Sequence, residues 1–428
     1  MSNLIDLHKW RRLSWPRIVL YVLSVILVLH LLQSFATSSS PSTPSNVLLE
    51  TTQQQSSVDF PWYNDQHPNM APLQNRKYTT AHLTTQERDA LQASMIEKAR
   101  AAASEFEITG IPGSIIHTAS MAKKFRSLVD CWTTGSWVED TTHYTMPHFQ
   151  DPIYGSCDRK YKKSGGTSLR PAVRYTWKSQ CDMINVDAQH WCQVLRGRHL
   201  LLVGDLVQYQ LHELFLDTLR DGPAVCFGEL NCKDHTVCEE PETRLRYLRN
   251  DILSVRRKMD QNHGHPTANV IEWPFTSSSI MRGYPVVILN RAPVVESDEK
   301  FIKGLVETLR VMRKANPSAL ILYRSTGIGH PFCDDATEPL AKPLDDSFLK
   351  KLPHGWSELE RRNAMAREIV EAAGGVFIDL AKLTNVRPDG HIGGQDCLRY
   401  CIPGPLDSWA QILYQVFLGL EGHLSIEN

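Results

Sequence analysis

The residues of this 428-residue chain that could do chemistry are a few polar side chains at the ends of apolar runs. His330, in "LYRSTGIGHPFC", follows such a run together with Ser325 and Thr326, and His391, in "RPDGHIGGQDC", precedes Asp396 by five residues in a Gly-rich loop. An imidazole near a carboxylate takes and returns protons close to neutral pH. Loop hydrogen bonding accounts for the same residue types, and His212, more than a turn into an apolar helical stretch, reads as structural. Arg291, Arg324 and Arg399 stand at or after run ends or in the last motif. They either converge on one pocket that holds a carboxylate or an acidic sugar by charge-assisted bonds, or are three separately solvated or ion-paired groups. The remaining landmark is Gly204-Asp205-Leu206, which breaks "LLLVGDLVQYQ" after its apolar half. Asp205 by itself can be no more than a helix cap.

The elements that must position these residues follow from periodicity. "HLLLVGD", "YPVVILN", "ALILYRS" and "GVFIDL" are unbroken β-rich runs suited to strands buried on both faces. Between them "VQYQLHELFLDTLR", "ETRLRYLRNDILSVRRKM", "DEKFIKGLVETLRVMRKA" and "SELERRNAMAREIVEAAGG" show helical spacing, and "PLDSWAQILYQVFLGL" closes the series. This alternation predicts an α/β domain of three layers, α/β/α, on a mainly parallel sheet. Ligands bind beyond the carboxyl ends of such strands, at Asp205-Leu206, Asn290-Arg291, Ser325-Thr326 and Asp379. Upstream, Thr84 and Glu87 have capping-box spacing and start a helix through "ALQASMIEKARAAASEF". "DCWTTGSWVEDTTHYTMPHFQDPIYGSC" has no clear period and reads as a loop-rich aromatic segment pinned by disulfides.

A net charge of -1 gives no pull toward nucleic acid, and 42% hydrophobic content allows one large domain with appendages or two domains. Ile18 to Leu32 is almost wholly apolar and extends through Ala36 to about the 20 residues a bilayer crossing needs. Lys9, Arg11, Arg12 and Arg17 precede it, and no Lys or Arg follows until Arg76, which predicts a type II signal anchor with a cytosolic N-terminus. A cleaved signal peptide is the alternative. The Ser, Thr, Pro and Gln of residues 37 to about 75 cannot form a core and read as a flexible stalk. All ten cysteines follow the apolar stretch, and an even number there fits disulfides in an oxidising compartment. No pair of CxxC motifs has zinc spacing, so no metal site is expected.

Several landmarks together resemble the trichome birefringence-like or PC-esterase proteins, SGNH/GDSL-like acyl-esterases that include polysaccharide O-acetyltransferases. They are Cys131, Gly135, Trp137, Asp140, Pro152, Tyr154, Cys157, Trp177 and Cys181, then "LRGRHLLLVGD", then Asn290, then "QDCLRYCIPGPLDSW". The resemblance implies a serine after Gly-Asp that accepts an acetyl group and passes it to a sugar hydroxyl. The matching residue is Leu206. It also implies a base, a His three residues after the last-block Asp; Asp396 matches the Asp, and Arg399 stands where the His should be. Asn290 matches the oxyanion Asn, although the Gly and His that follow it in the family are missing from "NRAPVV". Leucine has no nucleophilic atom and guanidinium has no lone pair to accept a proton, so the serine mechanism is excluded at these positions.

The expected layout is a cytosolic tail (1–17), a transmembrane anchor (18–36), a stalk (37–80), a helical stem (81–128), a disulfide-pinned aromatic segment (129–198) and an SGNH-like α/β/α domain (199–422). The expected function is a Golgi or other secretory-pathway membrane protein, degenerate at its triad, that binds a polysaccharide, a glycoprotein glycan or an active acyltransferase partner. Golgi residence follows from the short span and from the resemblance. The alternative is an active O-acetyltransferase or esterase with His391 or His330 as base. A third reading is an active enzyme with a sequence error at Leu206 or Arg399. No cofactor is expected beyond an acetyl donor if the chain is active. The site would draw on Leu206, Asn290, Asp396 and Arg399, with Gly204, Asp205, Arg291, Ser325, His330 and His391 around them.

Overall fold

The computed structural model describes residues 80, 82–140, 157, 170–220, 234–256, 270–294, 296–331, 333–345, 348, 355–394 and 396–424. The expected tail and anchor, the stalk through residue 79, Pro152, Tyr154, Cys226 and Cys232 lie outside the described residues. Among the described residues no helix is long and apolar enough to cross a membrane.

In chain order the elements are α1 (Thr85–Ala103), α2 (Ala119–Trp132), β1 (Gly135–Glu139), β2 (Tyr175–Ser179), α3 (Ala188–Leu195), β3 (Leu200–Gly204), α4 (Leu206–Leu219), β4 (Asp234–Cys238) and β5 (Thr243–Arg249). They continue with α5 (Ser278–Gly283), β6 (Val286–Leu289), α6 (Asp298–Ala315), β7 (Leu320–Arg324), α7 (Leu359–Ala372), β8 (Val376–Ile378), α8 (Ala381–Thr384), β9 (His391–Gly393), β10 (Asp396–Tyr400) and α9 (Asp407–Leu420). The capping box forms as its spacing predicts: the Thr84 hydroxyl accepts from the Glu87 N–H, and the Glu87 carboxylate accepts from the Thr84 N–H at 2.8 Å. In α6, Asp298 and Glu299 occupy the first turn and Arg313 and Lys314 the last, charges that match the helix dipole.

The central sheet has the order β4-β5-β3-β6-β7-β8; β4 is antiparallel and the rest are parallel. Because side chains alternate across a strand, Leu200, Leu202, Val286, Ile288, Leu320 and Leu322 enter one core with Trp191, Phe215, Trp409 and Phe417. Leu201, Val203, Val287, Leu289, Ile321 and Tyr323 enter a second core with Phe301, Leu305, Met365 and Ala99. Helices thus cover both faces, as unbroken apolar strands require. This is the three-layer α/β arrangement expected from the alternation.

One element differs from its reading. The helix expected over "ETRLRYLRNDILSVRRKM" is, through Thr243–Arg249, the strand β5. Leu245 and Tyr247 are fully buried while Arg244 is exposed and Arg246 half-buried, a period of two that pairing with β3 rewards. The aromatic segment is also more regular than expected: β1 and β2 form an antiparallel pair in which Trp137 faces Trp177. Four disulfides join described residues: Cys131–Cys181, Cys157–Cys401, Cys192–Cys238 and Cys333–Cys397.

Candidate functional site

Gly204 ends β3, and Asp205 caps α4 by accepting the Gln208 N–H at 3.0 Å. The fully buried Asn290, just past β6, closes a bracket on this turn. Its Oδ1 accepts the Asp205 N–H at 3.0 Å, and its Nδ2 donates to Asp205 Oδ2 at 3.1 Å and to Thr326 Oγ1 at 3.4 Å. A Cβ on residue 204 would lie 1.8 Å from Asn290 Oδ1, so only glycine lets the amide reach the turn. The Asn290 amide donates to protein groups here. Thr326 in turn donates to the Arg291 carbonyl at 2.6 Å, and Ser325 Oγ accepts the Ala381 N–H at 2.8 Å.

The three arginines do not converge. Arg291 is buried and held by Glu296 at 2.7 to 3.1 Å. Arg324, buried above the sheet, donates to Gln208 Oε1 at 2.9 Å and Asp205 Oδ1 at 3.2 Å and lies over the Trp409 ring at 5.0 Å. Burial lowers its pKa, and the Asp205 carboxylate opposes that shift. Arg399 folds back on its own hairpin, with Nε 2.6 Å from Asp396 Oδ2, and Asp396 Oδ1 also accepts the Arg399 N–H at 3.0 Å. The carboxylate that would orient an imidazole is therefore occupied by a permanent cation whose side chain is about one-third exposed.

Leu206 is half-buried at the start of α4. One turn later, Gln210 donates from Nε2 to the Tyr400 carbonyl at 2.6 Å and accepts the Tyr400 N–H on Oε1 at 2.9 Å. This amide pairing ties β10 to α4, so Leu206 and Arg399 sit on elements fastened to each other within a turn of both residues. Gln208 and Gln210 were not singled out from the sequence. Two glutamines set among Leu206, Val207, Tyr209 and Leu211, directly after a strand, are the signal that could have found them.

His330 and His391 meet each other: His330 Nδ1 and His391 Nε2 are 2.7 Å apart, with their outer nitrogens on the carbonyls of Asn385 at 3.0 Å and Arg399 at 3.1 Å. Two neutral imidazoles bring two ring protons to these three contacts, so one contact lacks a proton. Burial pushes His330 down to about 4, and burial followed by the neighbouring His330 lowers His391. Both rings are buried, and these four nitrogens face protein groups. His212 is also fully buried, stacked on Tyr209 beside His235, and burial pushes it down to about 3.

A cavity of about 880 Å³ opens near the end of β8, among Trp137, Tyr175, Ile328, Trp356, Asn363 and Asp379. Of the strand-end positions read from the sequence, Asp379 lines it, whereas Leu206, Asn290, Arg291, Ser325, His330, His391, Asp396 and Arg399 do not. Among the described residues no group of three or more His, Cys, Asp or Glu could hold a metal ion.

A family model described as PC-esterase, a GDSL/SGNH-like acyl-esterase family found in Pmr5 and Cas1p, matches residues 325–416. The match contains Ser325, His330, His391, Asp396 and Arg399 and begins after Leu206 and Asn290. The chain is 24% identical over 370 residues to protein trichome birefringence-like 1 of Arabidopsis thaliana, covering 70% of this chain and 64% of that protein. It is 22% identical over 345 residues to xyloglucan O-acetyltransferase 1 of Arabidopsis thaliana, covering 67% of this chain and 79% of that protein. Xyloglucan O-acetyltransferase 2 of Populus trichocarpa is 24% identical over 356 residues, covering 67% and 81%. With the mainly parallel sheet and the ordered motifs at its strand ends, residues 325–416 carry the match to the PC-esterase family of GDSL/SGNH-like acyl-esterases, and about two thirds of the chain is similar to trichome birefringence-like and xyloglucan O-acetyltransferase proteins.

Proposed function

We propose that this chain is a secretory-pathway protein, anchored as a type II span by residues 18–36, whose SGNH-like domain binds a polysaccharide or glycoprotein glycan without running the serine acyl-transfer cycle. One observation supports the reading: Leu206 begins the helix at the position the resemblance gives to the reactive serine, and Asp396 is ion-paired to Arg399, which stands where the resemblance expects a histidine. Relatives named xyloglucan O-acetyltransferases make xyloglucan the first glycan to try. In serine hydrolases, loss of the nucleophile or base removes about 10⁶-fold of rate, which leaves no useful turnover for a natural substrate. The alternative, direct transfer with His391 or His330 as base, has no observation in its favour, because both rings are buried and bonded to each other.

The test uses the full chain in detergent. Wild type is expected to be retained on a xyloglucan affinity gel, to hydrolyse p-nitrophenyl acetate at the background rate, and to show no acetyl adduct by intact mass. Leu206→Ser with Arg399→His is expected to gain ester turnover, since Gln210 and Asn290 still hold the surrounding backbone. Acetyl transfer to xyloglucan by wild type that disappears in His330→Ala or His391→Ala would sink the reading.

A further inference from the structure

We propose that the cavity of about 880 Å³ between the β1–β2 pair, α7 and residues 338–344 is a binding site for a neutral oligosaccharide, separate from the Leu206 and Arg399 positions. The proposal rests on the glycan-binding reading above and assigns that binding a place. The volume falls within the range of about 300–1,000 Å³ typical of small-ligand sites.

The aromatic wall is rigid before any ligand arrives. Trp137 and Trp177 are direct cross-strand partners whose rings meet edge to face at 5.5 Å. The Trp137 indole N–H donates to the Leu383 carbonyl at 2.8 Å, and that of Trp177 to the Trp132 carbonyl at 3.0 Å. Arg387, with no exposed surface, lies 4.1 Å from the Trp137 ring centre and 5.4 Å from that of Tyr175. Its guanidinium is held by both oxygens of Asp389 at 2.8 Å and by the Ala172 carbonyl at 2.7 Å. Trp137 and Tyr175 nevertheless remain half-buried rather than sealed. A fixed aromatic surface costs little ordering entropy when a ligand lands on it.

The charges around the cavity select against an ionic ligand. Arg367 is paired with Asp130 at 2.7 Å, Glu368 with Arg100 at 3.1 Å, and Lys382 with Asp379 at 3.7 Å. The other charged lining residues, Glu338, Lys342 and Glu360, are of both signs and exposed at the rim. An anionic or cationic ligand would compete with ion pairs already made. A sugar ring instead offers an apolar face to an aromatic wall and hydroxyls to a polar rim, and it needs no counter-charge.

The experiment is calorimetric titration of the full chain in detergent with a neutral xyloglucan oligosaccharide and with an oligogalacturonide as charged comparator. Ala364→Trp fills the cavity from α7, and Ala341→Trp, on an exposed loop of the opposite wall, is the second block should the first disturb folding. Wild type is expected to bind the neutral sugar in preference to the charged one, and each block to weaken that binding by at least about tenfold, as loss of a central contact does. Preference for the oligogalacturonide overturns the proposal. So does neutral-sugar binding that survives both blocks and is lost in Leu206→Trp, an outcome that leaves the glycan-binding reading standing. Binding of neither sugar by wild type defeats both.

Discussion

The bracket between Gly204 and Asn290 lends itself to a quantitative test. Gly204→Ala puts a methyl 1.8 Å from Asn290 Oδ1, so the amide must leave its place. The Asp205 N–H and Asp205 Oδ2 then lose the partners they have at 3.0 and 3.1 Å, both in a buried site. A buried polar group left unmet costs about 1–3 kcal/mol, so two such groups give a loss of about 2–6 kcal/mol. That is a large share of the roughly 5–15 kcal/mol by which folded proteins are stable. Asn290→Gly removes the same bonds and is expected to cost a similar amount. In the double variant the new methyl meets no Asn290 side chain and comes closest to Gln208 Cβ, at 3.0 Å, so it adds about 1 kcal/mol, the low end for overpacking. The two single losses should therefore exceed the double loss by several kcal/mol, a coupling readable from urea unfolding followed by tryptophan fluorescence with the disulfides intact. Strict additivity, or a Gly204→Ala loss under about 1 kcal/mol, would refute the view that Asn290 is a structural clasp on this turn.

Three further outcomes follow from the buried polar groups and cross-links. His212 is pushed down to about 3 and His330 to about 4, with His391 also lowered, so the unfolded chain takes up protons that the folded chain refuses. Stability is then complete above about pH 6.5, the ordinary histidine value, and drains away as pH falls toward 4; His212→Phe, which removes a ring whose nitrogens have no hydrogen-bond partner among the described residues, should make the drop in urea midpoint between pH 7 and pH 5 shallower. Arg387→Lys loses the two-pronged bond to Asp389 and the stacking on Trp137 and Tyr175, and is expected to cost about 2–4 kcal/mol and to speed amide exchange along Gly135–Glu139. Removing Cys157–Cys401, which spans 244 residues, should destabilise by about 1 kcal/mol more than removing Cys192–Cys238, which spans 46, after allowance for the other cross-links inside the longer loop; equal denaturation midpoints would count against the loop-entropy account.

The sheet was legible in the sequence because four of its strands are unbroken apolar runs, and strands buried on both faces need no alternation. β5 was not, because "TRLRYLR" spaces Leu245, Tyr247 and Leu248 in a way that suits a helix face as well as a strand. Only its partners β3 and β4 decide the matter, and pairing is not a local property. At the site, the order of motifs along the chain singled out Leu206 and Arg399 together, and the Gln210–Tyr400 pairing joins the elements that carry them. The arginines were less legible, since spacing at strand ends is the same whether a guanidinium faces a ligand or turns to Glu296, as Arg291 does. The cavity was legible only in part: Asp379 stood out as a strand end and Trp137 as a landmark of the aromatic segment, but Tyr175 and Asn363 come from distant parts of the chain with no common spacing.

The hairpin that carries Arg399 is fastened on both sides of it, by Cys397 to Cys333, by Cys401 to Cys157, and by Tyr400 to Gln210. Its position in the molecule consequently owes little to which side chain occupies residue 399. A substitution at residue 399 therefore changes the chemistry on offer at that position more than it changes the folding equilibrium. Cellular quality control inspects folding and not turnover, so the identity of residue 399 is open to change without loss of the folded chain.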